Sequence, residues 1–395
     1  MDVFGYFRRN ALTVPLLAVL AGGCATVDLP DVNQSGFQVY DDEQRLFNRT
    51  GEFNREIDAS GVLYTDPDLE RYLTKVAMVM LPAGFDAGHI QIEVKVIDDA
   101  LVNAYAMPSG RIYITSAMLA MMDNEAQLAI VLGHELTHVL ERHLLQVRRT
   151  AASNAAFFSS INLLVPLSGI GHLAAVTGFS QQFENTADEQ GFEALVRREY
   201  SPGQAALLFR RIKTFIEKEG IHTPQFFSSH PRIHDRVNHF EKLLSALPAG
   251  RPRGSRLNKD EFLDATRSVR LAAARAWIRM GMFTTAWERV EIYSARYPGD
   301  ARAYVLKGDI YRKRIATPEN RQRRVKDRAD YAAALTMYED ALAVDPHSAE
   351  AWKGKGQVLW KIGDRAQAAA ALAQYLTLSP AAPDRSHYAE VIRGP

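Results

Sequence analysis

The sequence predicts an α+β domain followed by an all-α helical-repeat domain. Three observations carry this reading. Residues 45 to 247 mix alternating apolar–polar segments with longer runs of helical periodicity. Residues 248 to 258, PAGRPRGSRLN, have the Pro, Gly and Arg content of a linker. Beyond them the chain is rich in Ala, and its segments close at Pro298, Pro346 and Pro380. A chain of 395 residues with 47% apolar and 24% charged residues has the composition of ordinary globular domains. The net charge of +1 excludes the basic excess of a nucleic-acid binder, and no nucleic-acid partner is expected.

Taken in order, the chain begins with Arg8 and Arg9, an apolar run over 11–20, small residues and then Cys24, the single cysteine. A basic start, a short apolar segment and small residues form an export signal, and the run is too short to span a membrane comfortably. Small residues leading into Cys24 resemble a bacterial lipobox, with Ala21 where the pattern usually has Leu and Leu20 one place earlier. This predicts lipidation of Cys24 and a membrane partner through the lipid. The other reading is an ordinary signal peptide with an incidental cysteine. Ala25 in place of Asp resembles outer-membrane sorting in Gram-negative lipoproteins. Residues 27–41 are polar, with Pro30 and Gly36, and read as a tether.

Residues 89–98, HIQIEVKVID, alternate as a half-buried strand. Residues 104–115, AYAMPSGRIYIT, read as two strands around a Pro108-Ser109-Gly110 turn. Asp123 or Asn124 starts a helix expected to run to about Arg149. Residues 151–179 contain no Lys, Arg, Asp or Glu, yet Pro166, Gly169 and Gly171 cut them into pieces too short to span a membrane. A small-residue helical pair, packed on the domain or lying on a membrane surface, is expected there. In the C-terminal part Pro346 and Pro380 are 34 residues apart, and Pro298 lies 48 before Pro346. Ala351-Trp352, Gly356, Ala366 and Pro380 sit near the positions of the tetratricopeptide pattern, and weaker copies cover 301–346 and 268–300. Such helix pairs bury their faces by stacking.

The chemistry is carried by VLGHELTHVLERH, residues 131–143. Residues i and i+4 share a helix face, so His134 and His138 aim at one metal ion. Glu135 lies on the flank, where a carboxylate takes a proton from an activated water. A catalytic zinc site needs three protein ligands and an open position. Residues 181–191, QQFENTADEQG, supply the third: Glu184 completes a His, His, Glu set. Asp188, four residues on, accepts the outer N–H of a ligand histidine and fixes its tautomer. His143, five residues past His138, points off the ligand face of a continuous helix and reads as structural.

With Asn103-Ala104-Tyr105-Ala106, Ser109-Gly110, Ile112-Tyr113-Ile114-Thr115, the H-E-x-x-H, Glu184-Asn185-Thr186-Ala187-Asp188 and Ser229-His230-Pro231 with Arg236, residues 45–245 resemble family forty-eight of the zinc metallopeptidases. These are gluzincins of the HtpX-like and CAAX-prenyl-protease-like kind, with a zincin-like fold. The resemblance implies one zinc ion per chain and a cell-envelope endopeptidase that clears misfolded or stalled outer-membrane proteins. It implies an edge strand at Asn103 and Ala104 where an extended peptide pairs by its backbone. It also implies a loop at His230 whose imidazole either occupies the open zinc position or donates to the oxyanion; the other reading of His230 is a structural surface residue.

The expected organisation is a signal peptide with lipobox over 1–23, a tether over 24–44 and a zinc metalloprotease domain over 45–247. A linker over 248–264 and a tetratricopeptide-like domain over 265–395 follow. The expected place is the periplasmic side of the outer membrane, or the soluble periplasm if Cys24 is incidental. Substrates are unfolded envelope proteins, with outer-membrane assembly machinery as a partner through the repeats. The rival is a chaperone or assembly scaffold acting through the repeats, its peptidase activity weak or autoinhibited.

Overall fold

The computed structural model describes residues 39–85, 90–150, 179–221, 233–249, 254–314 and 324–393. Cys24, the 151–178 stretch and His230 lie outside them. Helix α1 (Asp41–Ala59) and α2 (Pro67–Met80) precede a three-stranded sheet of β1 (Glu93–Ile97), β2 (Ala104–Ala106) and β3 (Arg111–Thr115). Asp66 starts α2 by accepting from the N–H groups of Asp68 and Leu69, with Pro67 at the first turn. The strand order is β1-β3-β2, β1 parallel and β2 antiparallel to β3. The expected hairpin is present. Gly110 takes φ 98°, and a Cβ there would stand 2.7 Å from the carbonyl oxygen of Gln91.

Period-two alternation sorts the sheet into two faces. Val94, Val96, Ala104, Ile112 and Ile114 face the main core with α2 and the motif helix. Ile97, Tyr105 and Tyr113 face α1 through Ile57 and Phe53. Short α3 (Ser116–Met121) leads into α4 (Glu125–Leu140), capped by the Asn124 side chain on Gln127 N–H. The helix does not continue to Arg149 as the sequence predicts. It stops at Leu140 and restarts as α5 (His143–Thr150), because Arg142 takes a left-handed φ of 56°. The reason is distant in sequence: the buried Arg142 guanidinium is paired with the buried Glu43 of α1, Nε to Oε1 at 2.7 Å.

Next come α6 (Gln181–Arg197), α7 (Gly203–Glu219), α8 (Ile233–Ser245) and α9 (Lys259–Ala265). The helical repeats are α10 (Arg267–Met280) with α11 (Phe283–Arg296), α12 (Ala301–Arg314) with α13 (Arg324–Val344), and α14 (Ala349–Ile362) with α15 (Arg365–Leu378); α16 (Arg385–Arg393) closes the stack. The second helix of each pair ends two residues before Pro298, Pro346 or Pro380, where a proline blocks the αR backbone before it. Small residues allow the pairs to approach: Cβ atoms at Gly308 and Gly354 would meet the Tyr338 ring at 2.7 and 2.3 Å.

The repeats share a core with the α+β part. Trp277 of α10 is fully buried and its Nε1 donates to Ala100 O at 2.9 Å. Arg270 donates to Met122 O at 2.6 Å. Within 254–258, Arg256 N–H donates to Glu199 O and Asn258 Nδ2 to Glu125 Oε1. The buried Glu125 carboxylate also accepts the hydroxyls of Tyr72 and Tyr200, each at 2.6 Å, and so knots three segments to the N-terminus of α4. Among the described residues no helix is long and apolar enough to cross a membrane.

Candidate metal centre

Helix α6 lies across α4 at two glycines. A Cβ on Gly133 would stand 3.3 Å from the Gly191 Cα, and one on Gly191 would stand 2.9 Å from the backbone nitrogen of His134. This close crossing brings the two four-residue spacings face to face. His134, His138 and Glu184 are all buried, and their ligand atoms lie within 4.8 Å of one another. His134 Nε2 is 3.1 Å from His138 Nε2, and Glu184 oxygens lie 3.6 Å from the first and 3.5 Å from the second.

These distances test whether a metal fits. Two imidazole nitrogens that face each other beside a carboxylate form a donor set suited to a cation. Tetrahedral zinc, with bonds of about 2.0–2.1 Å, holds its ligand atoms about 3.3 Å apart. The nitrogen–nitrogen separation and the approach of one Glu184 oxygen to each histidine are close to that figure, and a donor set of two imidazoles and one carboxylate is one zinc takes.

The outer nitrogens are also held. His134 Nδ1 lies 2.9 Å from Asp188 Oδ1, and a proton on that nitrogen leaves the Nε2 lone pair for the centre. Asp188 is pinned in turn by Arg236 of α8, whose Nε donates to Oδ2 at 3.1 Å and whose second nitrogen pairs with Oδ1. Arg236 is itself buried and lies over the Phe209 ring, 4.1 Å from its centroid. On the other ligand, the Phe179 ring stacks on His138 at 4.0 Å, and His143 Nδ1 lies 2.9 Å from His138 Nδ1. Burial pushes the His143 imidazole down to about 4, so it is neutral at physiological pH.

Glu135 is buried beside His134, rotated by about 100° from it around α4. Ala104 is the first residue of β2, an edge strand of the sheet, and Asn103 joins the ladder through its carbonyl to Thr115 N–H. Antiparallel alternation turns the backbone of Ala104 and Ala106 away from β3. The Ala104 N–H is taken by Asn103 Oδ1 at 3.0 Å. A polar cavity of about 560 Å³ opens beside Glu184 and Asp188, lined by Asn185, Asp235, Arg236 and half-buried His239.

The sequence pattern carries no role for Arg236 and predicts a purely structural one for His143. Arg236 reaches Asp188 only through the packing of α8 on α6. His143 reaches His138 only because the helix breaks between them.

Residues 64–244 match peptidase family M48, and residues 325–383 match the tetratricopeptide repeat. The chain is 26% identical over 264 residues to the beta-barrel assembly-enhancing protease of Escherichia coli O157:H7, covering 60% of this chain and 52% of that protein. It is 26% identical over 253 residues to metalloprotease LoiP of Escherichia coli (strain K12), covering 60% of this chain and 97% of that one. It is 28% identical over 168 residues to the mitochondrial metalloendopeptidase OMA1 of Saccharomyces cerevisiae, covering 39% and 48%. The chain spans about half the length of the beta-barrel assembly-enhancing proteases it matches.

Proposed function

We propose that this chain, whose residues 64–244 belong to peptidase family M48, is a zinc-dependent endopeptidase of the bacterial cell envelope acting on misfolded or stalled outer-membrane proteins. The observation that carries the reading is the buried His134, His138, Glu184 set with its 3.1–3.6 Å edges. Zinc bound there supplies Lewis acidity and lowers the pKa of a coordinated water toward neutrality. Glu135, adjacent on the same helix and not needed as a ligand, is the base that takes the water's proton and delivers it to the leaving amine. Asp188, held by Arg236, keeps His134 in the tautomer with Nε2 inward. The outward Ala104 carbonyl and the outward backbone of Ala106 offer an extended substrate a strand to pair with, which favours unfolded chains over folded ones. Lipidation at Cys24 would hold the enzyme at the periplasmic side of the outer membrane. The test is metal analysis of protein never exposed to chelator: about one zinc per chain is expected, and none contradicts the reading.

One observation favours a second activity beside the first. A groove of about 630 Å³ between the repeats is lined by Arg312, Lys313, Lys361, Tyr331, Trp360 and Tyr388. Arg312 and the aromatic rings suit a protein segment, as the scaffold reading requires. If Glu135→Gln retains part of the cellular function, the repeats act as more than a substrate guide.

A further inference from the structure

The helix break at Arg142 places a third histidine against the metal centre. On an unbroken helix His143 would lie about 140° around the axis from His138, facing away. The left-handed Arg142 turns the chain so that His143 starts a new helix with its ring folded back. Its Nδ1 then sits 2.9 Å from His138 Nδ1, both rings are buried, and the His143 ring stacks on Phe183 at 4.3 Å. The turn is fastened from outside by the Glu43 carboxylate on the Arg142 guanidinium, both buried, and by Tyr40 beneath that guanidinium at 5.4 Å. A conformation unfavourable to a non-glycine residue persists where the surroundings over-determine it.

We propose that His143 is a positioning residue for the metal centre: it accepts the Nδ1 proton of His138 and fixes the tautomer whose Nε2 lone pair points at the ion. It thereby does for His138 what Asp188 does for His134. The inference rests on the reading of His134, His138 and Glu184 as zinc ligands. It adds a residue from a different helix and ties the centre to α1, since Glu43 holds the turn that presents His143. The acceptor is an imidazole where the other ligand has a carboxylate, so the two histidines are held by different groups.

The experiment uses the full chain stripped of metal and zinc itself as the probe, with affinity read by competition against a chromogenic chelator. His143→Phe keeps a ring to stack on Phe183 and removes the acceptor. His143→Gln keeps an acceptor oxygen. Loss of a hydrogen-bond partner behind a ligand histidine weakens metal binding by about 10–100-fold. His143→Phe should show that loss with the metal-free melting temperature of the wild type, and His143→Gln should recover most of it. Zinc affinity of His143→Phe within threefold of wild type, or equal losses in the two variants, overturns the inference. A second readout needs no variant: nitrogen NMR of the zinc-loaded wild type should show His138 protonated at Nδ1 and His143 at Nε2. A proton on His143 Nδ1 overturns the inference even if His143→Phe fails to fold. Wild type that holds no zinc removes the metal reading itself, whereas wild type that holds zinc with unaffected variants removes only the role of His143.

Discussion

Gly191→Ala tests whether the α4–α6 crossing builds the centre. An added Cβ would stand 2.9 Å from His134 N and 3.1 Å from the Gly133 carbonyl carbon. Both obstacles are backbone, so no side chain can swing aside. Reaching ordinary contact means parting the helices by about 0.5 Å, and overpacking of this kind costs about 1–3 kcal/mol. Alanine also favours a helix interior over glycine by about 0.8–1 kcal/mol. The net expectation is a destabilisation of about 0–2 kcal/mol. Gly51→Ala isolates the opposing effect: it lies within α1, its nearest foreign atom would be the Arg55 guanidinium end at 3.8 Å, and only the helix gain applies. Urea denaturation of the two variants should differ by about 1–3 kcal/mol, with Gly51→Ala above wild type. The same 0.5 Å stretches the 2.9 Å bond from His134 to Asp188 past good hydrogen-bond length, so zinc affinity should fall by about tenfold or more in Gly191→Ala alone. A Gly191→Ala protein as stable as Gly51→Ala and binding zinc like wild type would refute this account of the crossing.

Two further predictions concern residues outside the described part of the chain. Cys24→Ala should abolish acylation and move the protein from the membrane fraction to the soluble fraction; unchanged processing and localisation would make the cysteine incidental. His230→Ala should raise turnover of unfolded casein if the loop blocks the open zinc position, since apparent activity scales with the fraction in the open state. A large loss would assign His230 to the oxyanion side, and no change would make it structural.

What was legible in the sequence was local. The four-residue spacings of His134 with His138 and of Glu184 with Asp188 each fix a shared helix face. The Pro108-Ser109-Gly110 turn and the prolines that close the repeats act through their own backbone and that of their neighbours. What was not legible depends on partners far along the chain. The end of α4 is set by Glu43, 99 residues before Arg142. The place of Arg236 depends on Asp188, 48 residues earlier. The joining of the repeats to the catalytic part depends on Trp277 meeting Ala100 O, 177 residues away. His143 shows the consequence: helical spacing placed it on the wrong side because nothing near it in sequence announces the break.

The central claim is that a buried metal and the Glu135 carboxylate hydrolyse peptide bonds together. The most direct measurement is casein turnover by Glu135→Gln at a zinc content matched to wild type. The substitution keeps the shape and removes the base. Loss of a positioned general base costs about 10²–10⁴-fold, so turnover should fall by at least about 100-fold while about one zinc per chain remains bound. Turnover within a few-fold of wild type at equal zinc content would contradict the account.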